Sequence, residues 1–236
     1  MRPSLVLLPG MDGTGELFAP FLVALGSEFQ STIVGYLTDE VLSYVELTTL
    51  ARASLPQDRP FVLLAESFSG PIAVLLAAAK PSGLVGLILC ASFVRNPRPA
   101  LGRLAVLFRS LSTNRLPKRL LRTLLLGSSA ARHVRDDLDR VLKKVQPRVL
   151  ADRLRSIVDI DVTDELKQIN LTCLYLRASN DRLVPPASSL PFESLVPRWR
   201  MHELSGPHLL LQVAPMAAAR EVRDFIQHLA MDEKGP

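Results

Sequence analysis

Ala65-Glu66-Ser67-Phe68-Ser69-Gly70 is the stretch that fixes how the rest of this sequence reads. It follows an apolar run of strand length, Phe61–Leu64, and precedes an apolar stretch of helix length, Gly70–Ala79, that ends at Lys80-Pro81. A serine on a sharp strand-to-helix turn sits on strained backbone with its hydroxyl presented outward. The residues two positions to either side must be small so that strand and helix can pack closely, and the usual form is Gly-x-Ser-x-Gly. Here Ala65 and Ser69 take the two small positions, which changes the letters and keeps the steric requirement. The competing reading is an ordinary serine in a tight turn, with Gly70 opening the helix.

Outward from this turn, short apolar runs alternate with amphipathic stretches. Strands are expected at Ser4–Leu8, Ser31–Tyr36, Phe61–Leu64, Leu84–Ala91, Leu171–Arg177 and Trp199–Leu204. Helices are expected at Leu17–Leu25, Tyr44–Leu55, Gly70–Ala79 and Met216–Leu229. Strands that are apolar on both faces and alternate with helices imply a covered, mostly parallel sheet of an α/β protein. The interval 95–155 breaks the rhythm, since it holds no strand candidate. Leu101, Leu104, Phe108 and Leu111 share one helical face, and Val134, Leu138, Val141, Leu142, Val145 and Val149 share another. Asp136/Arg140 and Asp139/Lys143 are spaced for ion pairs. The expected organisation is therefore a core formed by 1–94 and 156–236, with a helical lid, 95–155, inserted after the fourth strand.

Three further stretches lie directly after strands. Pro9-Gly10-Met11-Asp12-Gly13-Thr14-Gly15 follows the first, and its backbone amides are placed to hold a developing oxyanion. A phosphate loop fails on detail, because no Gly-Lys-Ser/Thr follows and Asp12 would repel the phosphate. Ser179-Asn180-Asp181-Arg182 follows the fifth strand and offers Asp181 as a carboxylate at a strand end, where it could also merely cap a turn; Asp159, Asp161 and Asp164 precede that strand. Ser205-Gly206-Pro207-His208 follows the sixth. Of the four histidines, His133 lies in the charged insertion, His202 inside a strand and His228 near the C-terminal end, so only His208 occupies a strand-end loop. Ser67, Asp181 and His208 thus occur in the chain order Ser, Asp, His.

Through PGMDG, AESFSG, SNDRLVP and SGPH, the sequence resembles the α/β-hydrolase superfamily from Ser4 to about Leu229. Two residues depart from the common pattern: Pro9 stands where many members have His, and Glu66 where many have His before the serine. The resemblance implies a minimal six-stranded sheet with helices on both faces. It also implies a catalytic triad of Ser67, Asp181 and His208, an oxyanion hole from the amides of Met11 and Phe68, an acyl-enzyme, and no cofactor or metal. Candidates for the acyl pocket are Leu101, Leu104, Leu107, Phe108, Leu111 and Leu124–Leu126, with Leu104, Phe108 and Leu111 foremost.

Length and composition fit a single domain of 236 residues, 48% hydrophobic and 22% charged. No leader or apolar run near ~18 residues is evident, which leads to the expectation of a cytoplasmic soluble protein. Cys90 and Cys173 sit in apolar runs as buried thiols, and MDEKGP reads as a loose tail. The net charge of +5 is unevenly spread: 95–155 carries sixteen Lys and Arg against four Asp and Glu, and the rest twelve against nineteen. A solvated helical surface accounts for that, and so does a docking face for an acidic partner such as a carrier protein or an anionic membrane. Nucleic acid is not expected, since Phe108 is the interval's single aromatic residue. The small fold with a basic lid is similar to the pimeloyl-carrier-protein methyl ester esterases, which implies an acyl ester carried by an acidic acyl carrier protein. PGMDGTG also resembles a stretch of some plant and bacterial acyltransferase-like hydrolases. Acyl transfer, thioester cleavage and a non-catalytic binding protein on the same fold remain the alternatives.

Overall fold

The computed structural model describes residues 2–99, 118–127 and 130–232. Six strands form one sheet in the order β2-β1-β3-β4-β5-β6. They are β1 (Ser4–Leu8), β2 (Ser31–Ile33), β3 (Phe61–Glu66), β4 (Leu84–Cys90), β5 (Thr172–Ala178) and β6 (Trp199–Leu204). Every pairing among them is parallel, so the expected mostly parallel sheet is parallel throughout the described residues. The second strand is shorter than expected: Val34 and Tyr36 are buried but lie beyond the ladder.

The alternation of side chains along each strand sends apolar groups to both faces. Val6, Leu8, Leu63 and Ala65 pack with α2 (Tyr44–Ala53) and α3 (Gly70–Ala78). Leu5, Leu7, Val62 and Leu64 pack on the other face, with α1 (Ala19–Leu25) and the C-terminal helix Pro215–Asp232. Ser43 caps α2 reciprocally with Glu46, as Ser-x-x-Glu before a helix should. The helix after β1 covers one face and the helix after β3 the other. The loops between these adjacent strands therefore part, opening a crevice at their C-terminal ends, the usual ligand position in parallel sheets.

The insertion begins where Val94–Asn96 runs antiparallel to 160–162, through the Arg95–Asp161 bridge and the bonds Asn96 N–H to Ile160 O and Val162 N–H to Val94 O. Between these ends lie α4 (Lys118–Leu126), α5 (Arg132–Leu142) and α6 (Pro147–Asp159). The helix α6 runs unbroken through position 155, the expected limit of the lid. The Val134–Val149 stripe is split at Gln146-Pro147, because a proline cannot donate within a helix and here starts a new one. Ion pairs also differ from the expected spacing. Arg140 meets Asp137 at 2.9 Å and Glu16 at 2.6 Å, and Asp139 meets Arg122 at 3.3 Å. A third apolar cluster (Leu17, Leu125, Leu126, Val134, Leu138, Val141, Leu209) seats α4 and α5 on the rim of the sheet. Leu101, Leu104, Phe108 and Leu111 lie outside the described residues. Cys90 and Cys173 are buried free thiols, and no described helix is long and apolar enough to cross a membrane.

Candidate active site

Four strand ends converge. Ser67 directly follows β3 with φ of 50°, in the left-handed region that side chains with a Cβ rarely adopt. Its carbonyl accepts the Ser92 hydroxyl at 2.6 Å, and the Ser92 carbonyl in turn accepts Tyr175 Oη at 2.6 Å. Strained backbone persists where surrounding bonds over-determine it, and this chain of two hydroxyls does so. Of the small positions, Ser69 is fully buried; its hydroxyl donates to Pro9 O, so Tyr36 Oη, 2.7 Å away, donates to it. The closest approach is one residue further on. A Cβ at Gly70 would lie 2.0 Å from Ser92 Oγ and 2.6 Å from Phe93 O, so position 70 has no room for a side chain.

His208 Nε2 lies 2.7 Å from Ser67 Oγ, and His208 Nδ1 lies 2.8 Å from Asp181 Oδ2. Both the imidazole and the carboxylate are almost wholly buried. The other Asp181 oxygen, Oδ1, accepts the N–H groups of Leu183 and Val184, each at 2.8 Å. A carboxylate so held takes the Nδ1–H, which leaves the Nε2 lone pair facing the Ser67 hydroxyl. The three sequence candidates are thus brought into one hydrogen-bonded line. Asp159, Asp161 and Asp164 are not part of it; Asp161 caps the Thr163 turn and Asp164 pairs with Lys167.

The loop after β1 is held from several sides. Gly13 N–H closes a turn on Gly10 O, Asp12 Oδ2 accepts Thr14 N–H and Oγ1–H at 2.9 and 2.7 Å, and Arg153 Nη1 donates to Met11 O at 2.9 Å. Arg153 reaches in from α6 and is only 2% exposed; its Nη2 donates to Leu37 O at 2.8 Å and its guanidinium stands over the Tyr36 ring. Burial raises the Asp12 pKa. Beneath Ser67, Glu66 is also buried; Gln212 Nε2 donates to its Oε2 at 3.2 Å, and burial with the nearby Asp12 charge pushes it up to about 8.

Gly10, Met11, Ser67, Phe68 and His208 line one cavity of 240 Å³. Its wall is otherwise mainly apolar, with Leu121, Leu125, Leu138, Leu142, Ile157 and Leu209 prominent. The acyl-pocket candidates Leu104, Phe108 and Leu111 fall outside the described residues, whereas the candidate Leu125 lines the cavity; Leu154 of α6 and Leu17 and Leu183 from the core join the leucines of α4, α5 and the His208 loop there. Arg98, Arg153, Ser92 and Gln212 were not among the sequence candidates. Arg153 had a signal, being in register with Val149 and Ile157 on the buried stripe of a helix. Ser92 and Gln212 had none, since their roles depend on which strands and loops become neighbours. Among the described residues no three His, Cys, Asp or Glu gather as a metal site.

The hydrolase family described as serine aminopeptidase, S33, matches residues 35–210, a span that contains Ser67, Asp181 and His208. The chain belongs to this family. Its fold is shared with solved hydrolases at low identity. The lipase-esterase related protein of Clostridium acetobutylicum ATCC 824 superimposes with a TM-score of 0.80 at 15% identity, covering 95% of this chain and 94% of that one. The enol-lactonase of Burkholderia xenovorans LB400 gives 0.81 at 18%, covering 96% and 92%. MenH from S. aureus gives 0.80 at 15%, covering 98% and 95%. No curated protein sequence matches the chain significantly. As a family member the chain is an α/β hydrolase.

Proposed function

We propose that this hydrolase cleaves carboxylic esters through an acyl-enzyme on Ser67. The observation that carries the reading is the unbroken line Asp181–His208–Ser67 opening on an apolar cavity. In the first step Ser67 Oγ bonds to the acyl carbon while its proton passes to His208 Nε2. Asp181 holds the tautomer and balances the imidazolium. The tetrahedral oxyanion takes hydrogen bonds from the amides of Met11 and Phe68, both of which belong to residues lining the cavity. Collapse breaks the ester C–O bond, and the leaving alcohol takes the proton from His208. Water then gives a proton to His208 as it attacks, and the acid leaves as Ser67 recovers its hydrogen. Helices α4 to α6 act as the lid, and their leucines favour an apolar acyl group.

Intact mass after fluorophosphonate treatment tests the nucleophile. A single adduct is expected on the wild type and none on Ser67→Ala, whose ester turnover falls by about a thousandfold or more. A Ser67→Ala protein that still takes the adduct would move the nucleophile elsewhere.

The basic lid supports a finer reading, that the ester is delivered on an acidic acyl carrier protein. It rests on the charge of the insertion, and an ester hydrolysed no faster on its carrier than free at low salt would remove it.

A further inference from the structure

One strong cation stands in the apolar wall of the cavity beside Ser67. Arg98 lines it, on the segment that leads from β4 into the insertion. Its guanidinium is fixed: Nε donates to Leu183 O at 2.9 Å and Nη2 to Arg182 O at 2.6 Å. Those carbonyls belong to the turn whose N–H groups hold Asp181 Oδ1. The guanidinium is therefore mounted on the same turn as the acid of the triad. Asn96, its neighbour in the wall, is already engaged, since Oδ1 accepts Arg98 N–H and Nδ2 donates to Val158 O.

Two carbonyls occupy one edge of a five-donor fork, and neither carries a formal charge. Among the described residues no carboxylate pairs with Arg98. The residues outside the description near it in sequence, 100–117, contain no Asp or Glu at all. Arg98 is half-buried, so the free edge of its fork stays open to the cavity, and an anion entering there meets a charge that no carboxylate among the described residues has taken. A planar guanidinium matches a carboxylate in two parallel bonds, and a single cation balances one negative charge rather than the two of a phosphate ester.

We propose that Arg98 receives a carboxylate carried by the substrate away from the scissile bond, so that the preferred substrates are half-esters. This rests on the ester-hydrolase reading and is independent of the carrier-protein reading. The apolar wall takes the chain between the two ends, with the ester at Ser67 and the acid at Arg98.

The test compares esters of equal length with and without the acid. The p-nitrophenyl half-ester of adipic acid is set against p-nitrophenyl hexanoate, and carboxymethyl hexanoate against ethyl hexanoate, which places the acid on either side of the ester. The readout is the ratio of kcat/KM for acid over neutral ester. For at least one pair the wild-type ratio is expected to exceed that of Arg98→Gln by about tenfold or more, with Arg98→Lys between them. Equal ratios in wild type and Arg98→Gln for both pairs would overturn the proposal, and so would loss of both esters of a pair in equal measure. Ligand-observed NMR of monomethyl adipate against methyl hexanoate on Ser67→Ala reads the same preference without turnover. A protein that hydrolyses no ester yet binds the half-ester through Arg98 would sink the hydrolase reading and leave the carboxylate site standing. Equal binding of the two by wild type and by Arg98→Gln would remove the site itself.

Discussion

Glu66 departs from the common residue before the proposed nucleophile, and its surroundings say which charge state the fold prefers. Among the described residues, Glu66 Oε1 and Gln212 Oε1 are the two buried side-chain oxygens without a hydrogen-bond partner. A neutral carboxyl has an O–H to offer, and the Gln212 oxygen is an acceptor lacking a donor, so one proton on Glu66 suits both groups. Burial and the Asp12 charge, which raise Glu66 to about 8, agree with that state. The unfolded chain ionises Glu66 near the ordinary ~4.3. Between those values the folded protein holds a proton the unfolded chain has released, so stability falls as pH rises through the window and levels off above it. Urea unfolding at pH 5 and pH 9 for wild type and Glu66→Gln reads the effect. Relative to wild type, the variant should gain on the order of 4 kcal/mol between pH 5 and pH 9. A difference between the two proteins that does not change with pH would mean that Glu66 ionises normally.

At the scale of elements, α6 does more than cover the site, because Arg153 reaches from it into the loop after β1. Its bonds to Met11 O and Leu37 O tie the insertion to the backbone whose amide is proposed to hold the oxyanion. A Cβ at Gly13 would lie 2.6 Å from the same guanidinium, so the loop is built closely around it. Arg153→Met leaves two carbonyls without their donor and frees the Met11 peptide to tilt. Steady-state kinetics should then show kcat reduced by about tenfold or more with KM little changed, the pattern of a contact used mainly in the transition state. A rise in KM alone would place Arg153 in substrate binding instead. The elements themselves were legible wherever local pattern and tertiary burial agreed. The strand Ser4–Leu8 was read to the residue because a buried apolar run ended at Pro9-Gly10; Trp199–Leu204 was also read to the residue, although only Leu204 of it is buried. The split between α5 and α6 was missed by following the apolar stripe past Pro147. The partners of Arg140 and Asp139 were missed because Glu16 and Arg122 are brought in by packing, not by spacing. The line of Ser67, Asp181 and His208 could be anticipated because each follows its own strand, and parallel strands bring those ends to one rim. Gly70, rather than the position two after the serine, makes the tightest contact, because β4 turns into Ser92 and Phe93 beside it; that contact is between distant segments and leaves no local trace.

Across the whole molecule, charge divides as the chain does: 95–155 carries a net +12 and the remainder −7. Part of the positive charge is used internally. Glu16 at the mouth of the core accepts both Arg140 and Lys144, at 2.6 and 2.5 Å, and so fastens α5 to the first loop. Such exposed pairs are worth little singly. Yet Arg132 and Arg135 stay exposed on α5, beside the exposed Asp136, and Lys143 stays exposed just after it; none of the three cations has a carboxylate partner among the described residues, while Val134, Leu138 and Val141 on the same helix face inward. Although α5 itself carries three Arg against three Asp, the insertion as a whole is basic, which suits an acidic macromolecule delivering its cargo there. Such steering acts on encounter and weakens with salt, whereas a small ester has nothing to gain from it. The comparison is therefore one acyl ester offered on acyl carrier protein and on free pantetheine, at about 20 mM and about 300 mM salt, where screening shortens from roughly 20 Å to below 10 Å. Carrier-bound ester should be preferred by about tenfold at low salt, and the preference should shrink at high salt. Glu substitutions at Arg132, Arg135 and Lys143 together should abolish it while turnover of the pantetheine ester persists. Equal rates on both substrates at low salt would leave the positive face as a solvated surface, and the substrate would then be a free ester that reaches Ser67 without a carrier.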